Sequence, residues 1–348
     1  MKLTTHLNYA GGFKEGVQEV VEMEKAGLDL IWVAEAYGFD SPSLMGYVAA
    51  LTEKVEIAAA ILPIYTRTPT LIAMTAAGID ALSDGRFHLG LGASGPQVIE
   101  GFHGVPYSAP LGRTREIVDI CRLVWKREAP LHYEGKIFTL PLPEDQGTGL
   151  GKALKIIAKP VRADIPIWIA SLGEKNVALT AEIADGWIPL FFIPERANDV
   201  FGGALSIGRA KRDASRGELM VTAGGLFAIG DDEATLKLRD LQRSVTALYV
   251  GGMGAKGKNF YNELMIRYGF EKEAEVIQDL YLAGKKKEAE SAVPEEFLEL
   301  TTLCGPRNYV AERIAAFKEA GVTHLQVHPL PQAGQTKASL IEVAKSLI

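Results

Sequence analysis

Short apolar runs that follow a glycine recur from one end of the chain to the other. In four segments a helical pattern ends, a glycine follows and an apolar run begins: EKAGLDLIWV at Gly27, LSDGRFHLGL at Gly85, EIADGWIPLF at Gly186 and KEAGVTHLQV at Gly321. Glycine after a helix end adopts the left-handed conformation without steric cost. Continuous apolar runs are typical of buried parallel strands. The repeat therefore predicts alternating helices and parallel strands.

The apolar runs can be assigned to eight strands, the number that closes an α/β barrel. We therefore predict a (β/α)8 TIM barrel with insertions, as a single domain over residues 1–348. The predicted strands are Leu3–Tyr9, Leu28–Val33, Val55–Ile61, Arg86–Leu91, Ile167–Ala170, Trp187–Leu190, Leu219–Ala228 and His324–Val327.

Helices and insertions fill the gaps between these strands. Apolar residues at helical spacing predict helices at Gly12–Ala26, Thr70–Leu82 and Pro306–Ala320. Two stretches, Tyr107–Pro166 and Asp231–Glu299, are longer than ordinary connections, and the second should carry extra helices. Long insertions in a compact domain are often lids over a site.

Composition and charge exclude several classes of protein. The chain is 47% hydrophobic and 23% charged, with a formal net charge of −6, which argues against disorder and against a nucleic-acid partner. Its two cysteines, Cys121 and Cys304, show no CxxC spacing, and the first residues lack the apolar core of a signal peptide. We expect a cytoplasmic protein with reduced thiols that does not contact a membrane.

The residues just after the strands are the candidates for chemistry, because barrel enzymes place their active sites at the C-terminal strand ends. Glu35 is the acid that directly follows an apolar strand. It either acts on a substrate as acid or base, or pairs with a lysine or arginine on the rim. His6 and Asn8 in strand one and His328 after strand eight can face a substrate, although a histidine there can equally be a hydrogen-bonded wall residue.

The histidine spacing does not indicate a metal site. No two of the six histidines have i, i+4 spacing on a predicted helix, because His324 and His328 are four apart along a predicted strand, and no HExxH pattern occurs. We therefore expect no bound metal.

The segment GLGASG, at 90–95, matches the GxGxxG pattern of dinucleotide-binding folds. Its context differs, because it lies in mid-chain, Pro96 and an irregular stretch follow in place of a helix, and no acidic residue closes a second strand about 20 residues later. We interpret it as a strand end whose bare backbone N–H groups approach a ring or a phosphate.

Two further segments indicate a flat, anionic ligand. SLGEKNVALTAEIADGW opens from a glycine turn directly onto a helix, which makes either an anion site or an ordinary turn, and we favour a phosphate site. AAAILPIYTRTP ends a strand with small residues that let a flat ligand approach the backbone. Arg67 in this segment either meets an anion or pairs with a carboxylate such as Asp80.

Together these segments resemble the luciferase-like monooxygenase superfamily. The carriers are LDLIWVAEAYG, AAAILPIYTRTPTLIAMTAAGIDALSDGRFHLGLGASGPQ, IPIWIASLGEKNVALTAEIADGW and CGPRNYVAERIAAFKEAGVTHLQVHP, so the resemblance covers essentially the whole chain. It is to the branch that uses the deazaflavin coenzyme F420, which includes methylenetetrahydromethanopterin reductase and F420-dependent glucose-6-phosphate dehydrogenase. It implies a homodimeric oxidoreductase that transfers hydride between F420 and a small organic substrate. The alternatives are an FMN-dependent monooxygenase and a non-catalytic flavin- or deazaflavin-binding barrel.

The resemblance also implies roles for particular residues. It places a non-prolyl cis peptide, which supports the cofactor ring from behind, at Ala60–Ile61. It assigns the substrate-side acid to Glu35, where many relatives have Asp followed by His or Asn and this chain has Glu followed by Ala. The remaining cofactor-binding residues that it implies are Ala93, Ser94 and Gly95 after strand four, and Ser171, Leu172, Gly173 and Glu174 after strand five.

Overall fold

The structure is a closed parallel barrel surrounded by helices. It is a computed structural model that describes residues 1–8 and 11–348. Within those residues, eight parallel strands close the barrel in the order β1, β2, β3, β5, β8, β9, β10, β12. The strands are β1 Lys2–His6, β2 Leu30–Val33, β3 Glu56–Ala59, β4 Leu62–Pro63, β5 Phe87–Gly92, β6 Tyr133–Glu134, β7 Thr139–Leu140, β8 Ile167–Ala170, β9 Gly186–Ile188, β10 Met220–Ile229, β11 Leu303–Gly305 and β12 His324–Pro329.

The helices lie between consecutive strands and within the insertions. They are α1 Phe13–Lys25, α2 Ser41–Leu51, α3 Pro69–Leu82, α4 Pro96–Gly101, α5 Pro110–Lys126, α6 Glu174–Ile183, α7 Pro194–Arg209, α8 Glu233–Lys237, α9 Leu241–Ala247, α10 Phe260–Arg267, α11 Glu271–Leu282, α12 Lys286–Ser291, α13 Glu295–Thr301, α14 Arg307–Glu319 and α15 Lys337–Lys345. In the part of the chain that the structure describes, no helix is long and apolar enough to cross a membrane.

Each barrel strand has two chemically different faces, because successive side chains point to opposite sides. The outward residues, such as Leu3, Ile31 and Leu325, join one large apolar core with the helices. The inward residues form a separate, smaller cluster centred on Trp32 and Trp168. The predicted TIM barrel is therefore confirmed, with its main core between the strands and the helices.

The predicted elements differ from the structure mainly at their ends. The first strand ends at His6, so its predicted extension over Leu7 and Asn8 is wrong, while Tyr9 lies outside the described residues. The insertion at 231–299 does carry extra helices, α8 to α13, as predicted.

Three of the four junction glycines have the predicted left-handed backbone. Gly27, Gly85 and Gly321 have φ values of 97°, 82° and 87°. The prediction is wrong at Gly186, which begins β9 instead. A Cβ atom at Gly186 would lie 2.1 Å from the Trp168 ring, so this glycine is required by close packing against the neighbouring strand.

Glu116 in α5 fastens the first insertion to the barrel. Its buried carboxylate accepts hydrogen bonds from the backbone N–H groups of Lys136, Ile137 and Phe138, at the turn of the β6–β7 hairpin. The hairpin is thereby held against the outer helix layer.

Candidate active site

The loops after the barrel strands meet at one end of the barrel, which we call the mouth. Glu35 follows β2 there, and its side chain is nearly buried. Its carboxylate accepts hydrogen bonds from the backbone N–H and the hydroxyl of Ser41, at 2.8 and 3.1 Å. Arg67, in the loop after β4, donates through both terminal nitrogens to the same carboxylate. The Glu35 carboxylate is therefore held in place by Ser41 and forms an ion pair with Arg67.

Arg67 was expected to meet either an anion or a carboxylate such as Asp80. The structure shows a carboxylate partner, but it is Glu35. Asp80 faces the other end of α3, where it pairs with Arg162. The example given from the sequence was therefore wrong, because α3 separates Arg67 from Asp80.

The cis peptide expected at Ala60–Ile61 is confirmed. It lies between β3 and β4, beside β5. A Cβ atom at Gly90 would lie 1.8 Å from the carbonyl oxygen of Ala59, and one at Gly92 would lie 2.7 Å from the Ile61 side chain. The first two glycines of GLGASG thus allow β5 to pack closely against the segment that joins β3 to β4.

The loop after β5 contains Ala93, Ser94 and Gly95. Ser94 has a φ of 58°, which is uncommon for a residue other than glycine and is often found at functional sites. The expectation that no helix follows this loop is wrong, because α4 begins at Pro96. Proline suits the first position of a helix, since its missing N–H would have no partner there.

The loop after β8 opens onto α6, as the sequence indicated. Gly173 is the residue before the helix and has no side chain to cap it. The first N–H groups of a helix lack partners within it, and they carry the positive end of the helix dipole. The Ser171 hydroxyl is instead paired with Thr180 at 2.8 Å, and Glu174 adds a negative charge to the first turn. The backbone of Gly173 is therefore the part of this loop best suited to hold a phosphate.

His6 and His328 lie side by side at the mouth, with ring centroids 5.3 Å apart. The side chain of Gln326 lies 2.9 Å from Nε2 of His328. Burial and the neighbouring His328 lower the pKa of His6 to about 3, against the opposing effect of a hydrogen bond with Gln326. Burial lowers the pKa of His328 to about 4. Both rings are therefore neutral near pH 7, while Asn8 lies exposed just beyond β1.

A small cavity adjoins His328. It has a volume of about 70 Å³ and lies against His328, Gln326, Phe191 and the glycines of β10, Gly224 and Gly225. A Cβ atom at Gly224 would collide with the backbone oxygen of Gln326 at 1.8 Å and one at Gly225 with that of Thr301 at 2.2 Å, so β10 packs closely against both β12 and the end of α13. The cavity gives room for a small group that contacts His328 and Gln326.

Aromatic residues that the sequence did not assign to the site form one wall of the mouth. The rings of Tyr65 and Tyr107 lie 5.0 Å apart, and the Tyr107 hydroxyl donates to the backbone oxygen of Ser94 at 3.4 Å. Burial raises the pKa of Tyr107 to about 12, so this hydroxyl stays protonated. Tyr261 of α10 joins the wall through Phe191. Tyr107 and Tyr261 come from the two insertions, whose position no local pattern reveals.

Among the described residues, no group of three or more His, Cys, Asp or Glu side chains is arranged to hold a metal ion. The polar groups described at the mouth are therefore hydrogen-bonding side chains and the ion pair of Glu35 with Arg67.

Comparison with known proteins shows the family of this chain. The family profile of the luciferase-like monooxygenases matches residues 1–324. The chain belongs to the luciferase-like monooxygenase family. A member from Mycobacterium tuberculosis, assigned as a coenzyme F420-dependent oxidoreductase, is 39% identical over 94% of both chains.

More distant relatives also align with this chain over nearly their whole length. The 5,10-methylenetetrahydromethanopterin reductase of Archaeoglobus fulgidus is 27% identical over 93% of this chain and 92% of its own. The solved structure of the F420-dependent tetrahydromethanopterin reductase from Methanopyrus kandleri superposes with a TM-score of 0.79, at 22% identity, covering 100% of this chain and 98% of that one. These matches show that the barrel and its insertions follow the family fold.

Proposed function

We propose that this protein is a coenzyme F420-dependent oxidoreductase that transfers hydride between the deazaflavin and a small organic substrate. The observation that carries the proposal is the 39% identity, over 94% of both chains, to a relative assigned as F420-dependent. The more distant reductase from Archaeoglobus fulgidus supports the same class of reaction. When bound, the deazaflavin ring would supply the carbon that gives or takes the hydride.

The residues at the mouth fit such a cofactor. A flat ring needs a backbone surface without bulky side chains, and two neighbouring strand ends offer Ala60 with Ile61 and the loop Ala93–Gly95. A phosphate needs N–H donors, which the uncapped start of α6 at Gly173 provides. In this arrangement Ser171, Leu172 and Glu174 would shape the phosphate loop around Gly173.

The residues on the opposite side of the mouth would act on the substrate. Neutral His6 and His328 can each donate one hydrogen bond and accept another, which suits an uncharged oxygen of a substrate. Glu35, held by Arg67, would set the polarity of the same side. Asn8 would contribute an amide at the entrance. We propose Glu35 as the acid on the substrate side, and His6, Asn8 and His328 as the substrate pocket.

A specific observation favours a second candidate, a cofactor-binding barrel without catalytic activity. The carboxylate of Glu35 already has partners from Arg67 and Ser41, and burial keeps both mouth histidines neutral. Such a site is poor in free acids and bases. An FMN-dependent monooxygenase is the alternative that the family name suggests.

Cofactor titration distinguishes these functions. Purified protein would be titrated with F420 and, separately, with FMN, while absorbance and fluorescence report binding. We expect F420 to bind more tightly, and alcohols and ketones in a substrate panel then to change its oxidation state. Tight FMN binding without F420 binding would contradict the proposal. Tight F420 binding with no turnover across the panel would favour the non-catalytic barrel.

We also infer that the protein is a homodimer formed through α2 and α3. These outer helices have 11 and 14 residues, and their one charged residue, Asp80, is buried. Large apolar side chains remain exposed on both: Tyr47, Leu51, Leu71, Met74 and Leu82. Helices that are apolar on all sides are normally covered. A second copy of the same face would cover them symmetrically.

A further inference from the structure

The interior of the barrel is polar and aromatic below the mouth. Residues that point inward on β1, β2, β10 and β12 include Thr4, Trp32, Thr222 and His324, since their neighbours in each strand belong to the outer apolar core. All four are at most 3% exposed. We call the space between these four residues the axial chamber.

Each residue of the axial chamber has a polar atom without a hydrogen-bond partner. Among the described residues, Oγ1 of Thr4, Nε1 of Trp32, Oγ1 of Thr222 and Nε2 of His324 are buried and make no hydrogen bond. Leaving one buried polar group unpaired costs about 1–3 kcal/mol. Most buried polar atoms in proteins are satisfied by protein or by ordered water. Four such atoms along one closed interior indicate small polar partners inside the barrel.

The hydrogen bonds around His324 define what such a partner must do. Its Nδ1 lies 2.8 Å from the Thr323 hydroxyl, and that hydroxyl donates to the backbone oxygen of Val221 at 3.1 Å. We assign the ring proton to Nδ1, because the single hydroxyl proton of Thr323 is used toward Val221. Burial lowers the pKa of His324 to about 4, which keeps the ring neutral. Its Nε2 is then a bare acceptor that needs a donor.

Trp32 imposes the opposite requirement, because an indole N–H can only donate. A partner that suits all four positions must therefore be able to accept, as at Trp32, and to donate, as at His324, while the hydroxyls of Thr4 and Thr222 can do either. Water meets this requirement with two donors and two acceptors. An ammonium ion has no acceptor, and a chloride ion has no donor.

Ring contacts link these inward residues, and strand register spreads them over successive levels of the barrel interior. The Trp168 ring lies 5.2 Å from Trp32 and 4.9 Å from His324. Thr222 is paired in register with His324 on the neighbouring strand. Thr4 is paired with Gln326, two residues further along the strand that carries His324. We propose that buried water occupies the axial chamber, bound by Thr4, Trp32, Thr222 and His324.

This water would connect the mouth to the opposite end of the barrel. Above the axial chamber, the His6 ring lies 6.3 Å from Trp32, next to Gln326 and His328. Below it, Nε1 of Trp168 donates to Nδ1 of His88 at 2.9 Å. Polar side chains thus lie both above and below the axial chamber. The proposal does not depend on the cofactor, because it rests on the chain's own unpaired atoms.

The lower end of this axis reaches solvent. Nε2 of His88 lies 3.7 Å from the Glu56 carboxylate, which accepts a hydrogen bond of 2.6 Å from the ammonium group of Lys2. The Lys2 side chain is 45% exposed. The series of polar groups that begins at Trp168 and His88 therefore ends at a solvent-exposed ammonium group.

The four tryptophans of the chain provide an internal comparison for the test. The indole N–H groups of Trp125, Trp168 and Trp187 each have a protein acceptor at 2.9 Å. In ¹⁵N-labelled protein, we expect a cross-relaxation peak between water and the Trp32 indole, and weaker or absent peaks for Trp125 and Trp187. A crystal structure should show ordered density within hydrogen-bond distance of Trp32 Nε1 and His324 Nε2.

Variants separate the axial chamber from the rest of the protein. Thr222→Val removes a hydroxyl at nearly constant volume, so the water peak at Trp32 should weaken several-fold, whereas Thr222→Ser should keep it. Thr246→Val removes another buried, unpaired hydroxyl, in α9 outside the barrel, and is the matched control. If Thr222→Val does not fold, Thr4→Val tests the same site. A dry axial chamber in the wild-type protein, or an unchanged Trp32 water peak in folded Thr222→Val, would overturn the proposal.

Discussion

Glu35 and Arg67 form a two-pronged ion pair that joins the loop after β2 to the loop after β4. Nη2 of Arg67 lies 2.9 Å from Oε2 of Glu35, and Nη1 contacts Oε1. The planar guanidinium matches a carboxylate in this geometry, so it fixes direction as well as charge. Because the side chains are only 9% and 14% exposed, the pair holds the acid at the edge of the mouth.

The first prediction tests whether this pair takes part in turnover. Glu35→Gln keeps the size of the side chain and removes its charge. We expect turnover per folded molecule to fall by about 10²–10⁴-fold, the usual effect of losing an acid or base, while F420 affinity changes less. Stopped-flow measurement of cofactor oxidation with an active substrate would show this.

Ser41→Ala is the control for Glu35, because it removes a neutral hydrogen bond to the carboxylate and leaves the ion pair. A rate for Glu35→Gln within about threefold of wild type would fall well short of that range. Glu35 would then be a structural residue of the rim.

The second prediction concerns the start of α6. Gly173→Asp places a negative charge where backbone N–H groups should meet a phosphate. The new side chain has room, since a Cβ atom there would make an ordinary 3.8 Å contact with Phe260. We expect the Kd for F420 to rise at least tenfold, measured by fluorescence titration, with little change in melting temperature. Gly173→Asn has the same size without the charge and should bind much more tightly than Gly173→Asp. Equal affinities for the two variants would place the phosphate elsewhere.

The third prediction concerns Glu116 and the β6–β7 hairpin. Glu116→Gln replaces a carboxylate that accepts from three backbone N–H groups by an amide with one oxygen. We expect the free energy of unfolding to fall by about 1–3 kcal/mol, because buried N–H groups lose their acceptor. Urea denaturation measures the loss, and Glu134→Gln, on the exposed part of the hairpin, is the control. Similar stability for both variants would contradict the role of Glu116.

The sequence predicted the barrel because its strands and helices follow local periodicities. The six residues of β12 show that the sequence analysis predicted the strand but assigned only part of its site residues. His328 was named as a site residue, and the period of two along a strand also places Gln326 on the same inward face. That signal was present and was not used. The pair Glu35–Arg67, in contrast, depends on how two loops meet after the barrel closes, and no spacing along the chain encodes it.

The glycines also divide into those that the sequence predicts and those that only the folded structure explains. Gly27, Gly85 and Gly321 could be predicted, because a helix end followed by a strand needs a left-handed residue. Gly186 and Gly90 serve close contacts with residues of neighbouring strands, Trp168 and Ala59. Such requirements arise from packing in the folded protein. In the sequence, a glycine of this kind cannot be distinguished from one in a turn or a phosphate loop.

The fourth prediction tests the inferred dimer. Met74→Asp introduces a charge into the exposed apolar face of α3, where the side chain is 55% exposed. We expect the variant to be monomeric at micromolar concentration by light scattering, while the wild type is dimeric. Leu282→Asp, at a 52% exposed position of α11, is the matched control and should remain dimeric. A monomeric wild type would contradict the dimer, and a dimeric Met74→Asp would place the interface on another face.

The last prediction follows from the buried histidines. In the folded protein the pKa of His6 is lowered to about 3, and the pKa values of His324 and His328 to about 4, from 6.5 in an unfolded chain. Between these values the unfolded chain binds more protons, so acid favours unfolding. The free energy of unfolding should be nearly constant above pH 7 and should decrease below about pH 6.5, by up to about 1.4 kcal/mol per pH unit for each histidine.

Urea denaturation at pH 5 and pH 7 measures this decrease directly. The stabilising pKa shift of Glu56, to about 2, acts at lower pH and does not interfere. His6→Gln removes one of the three histidines and leaves a neutral group beside His328 and Gln326, so the loss of stability between pH 7 and pH 5 should become smaller. His132→Gln, at an exposed position, should behave as the wild type does. If His6→Gln lost as much stability as the wild type over this interval, His6 would be protonated in the folded protein, and the proposed neutral pair at the mouth would be wrong.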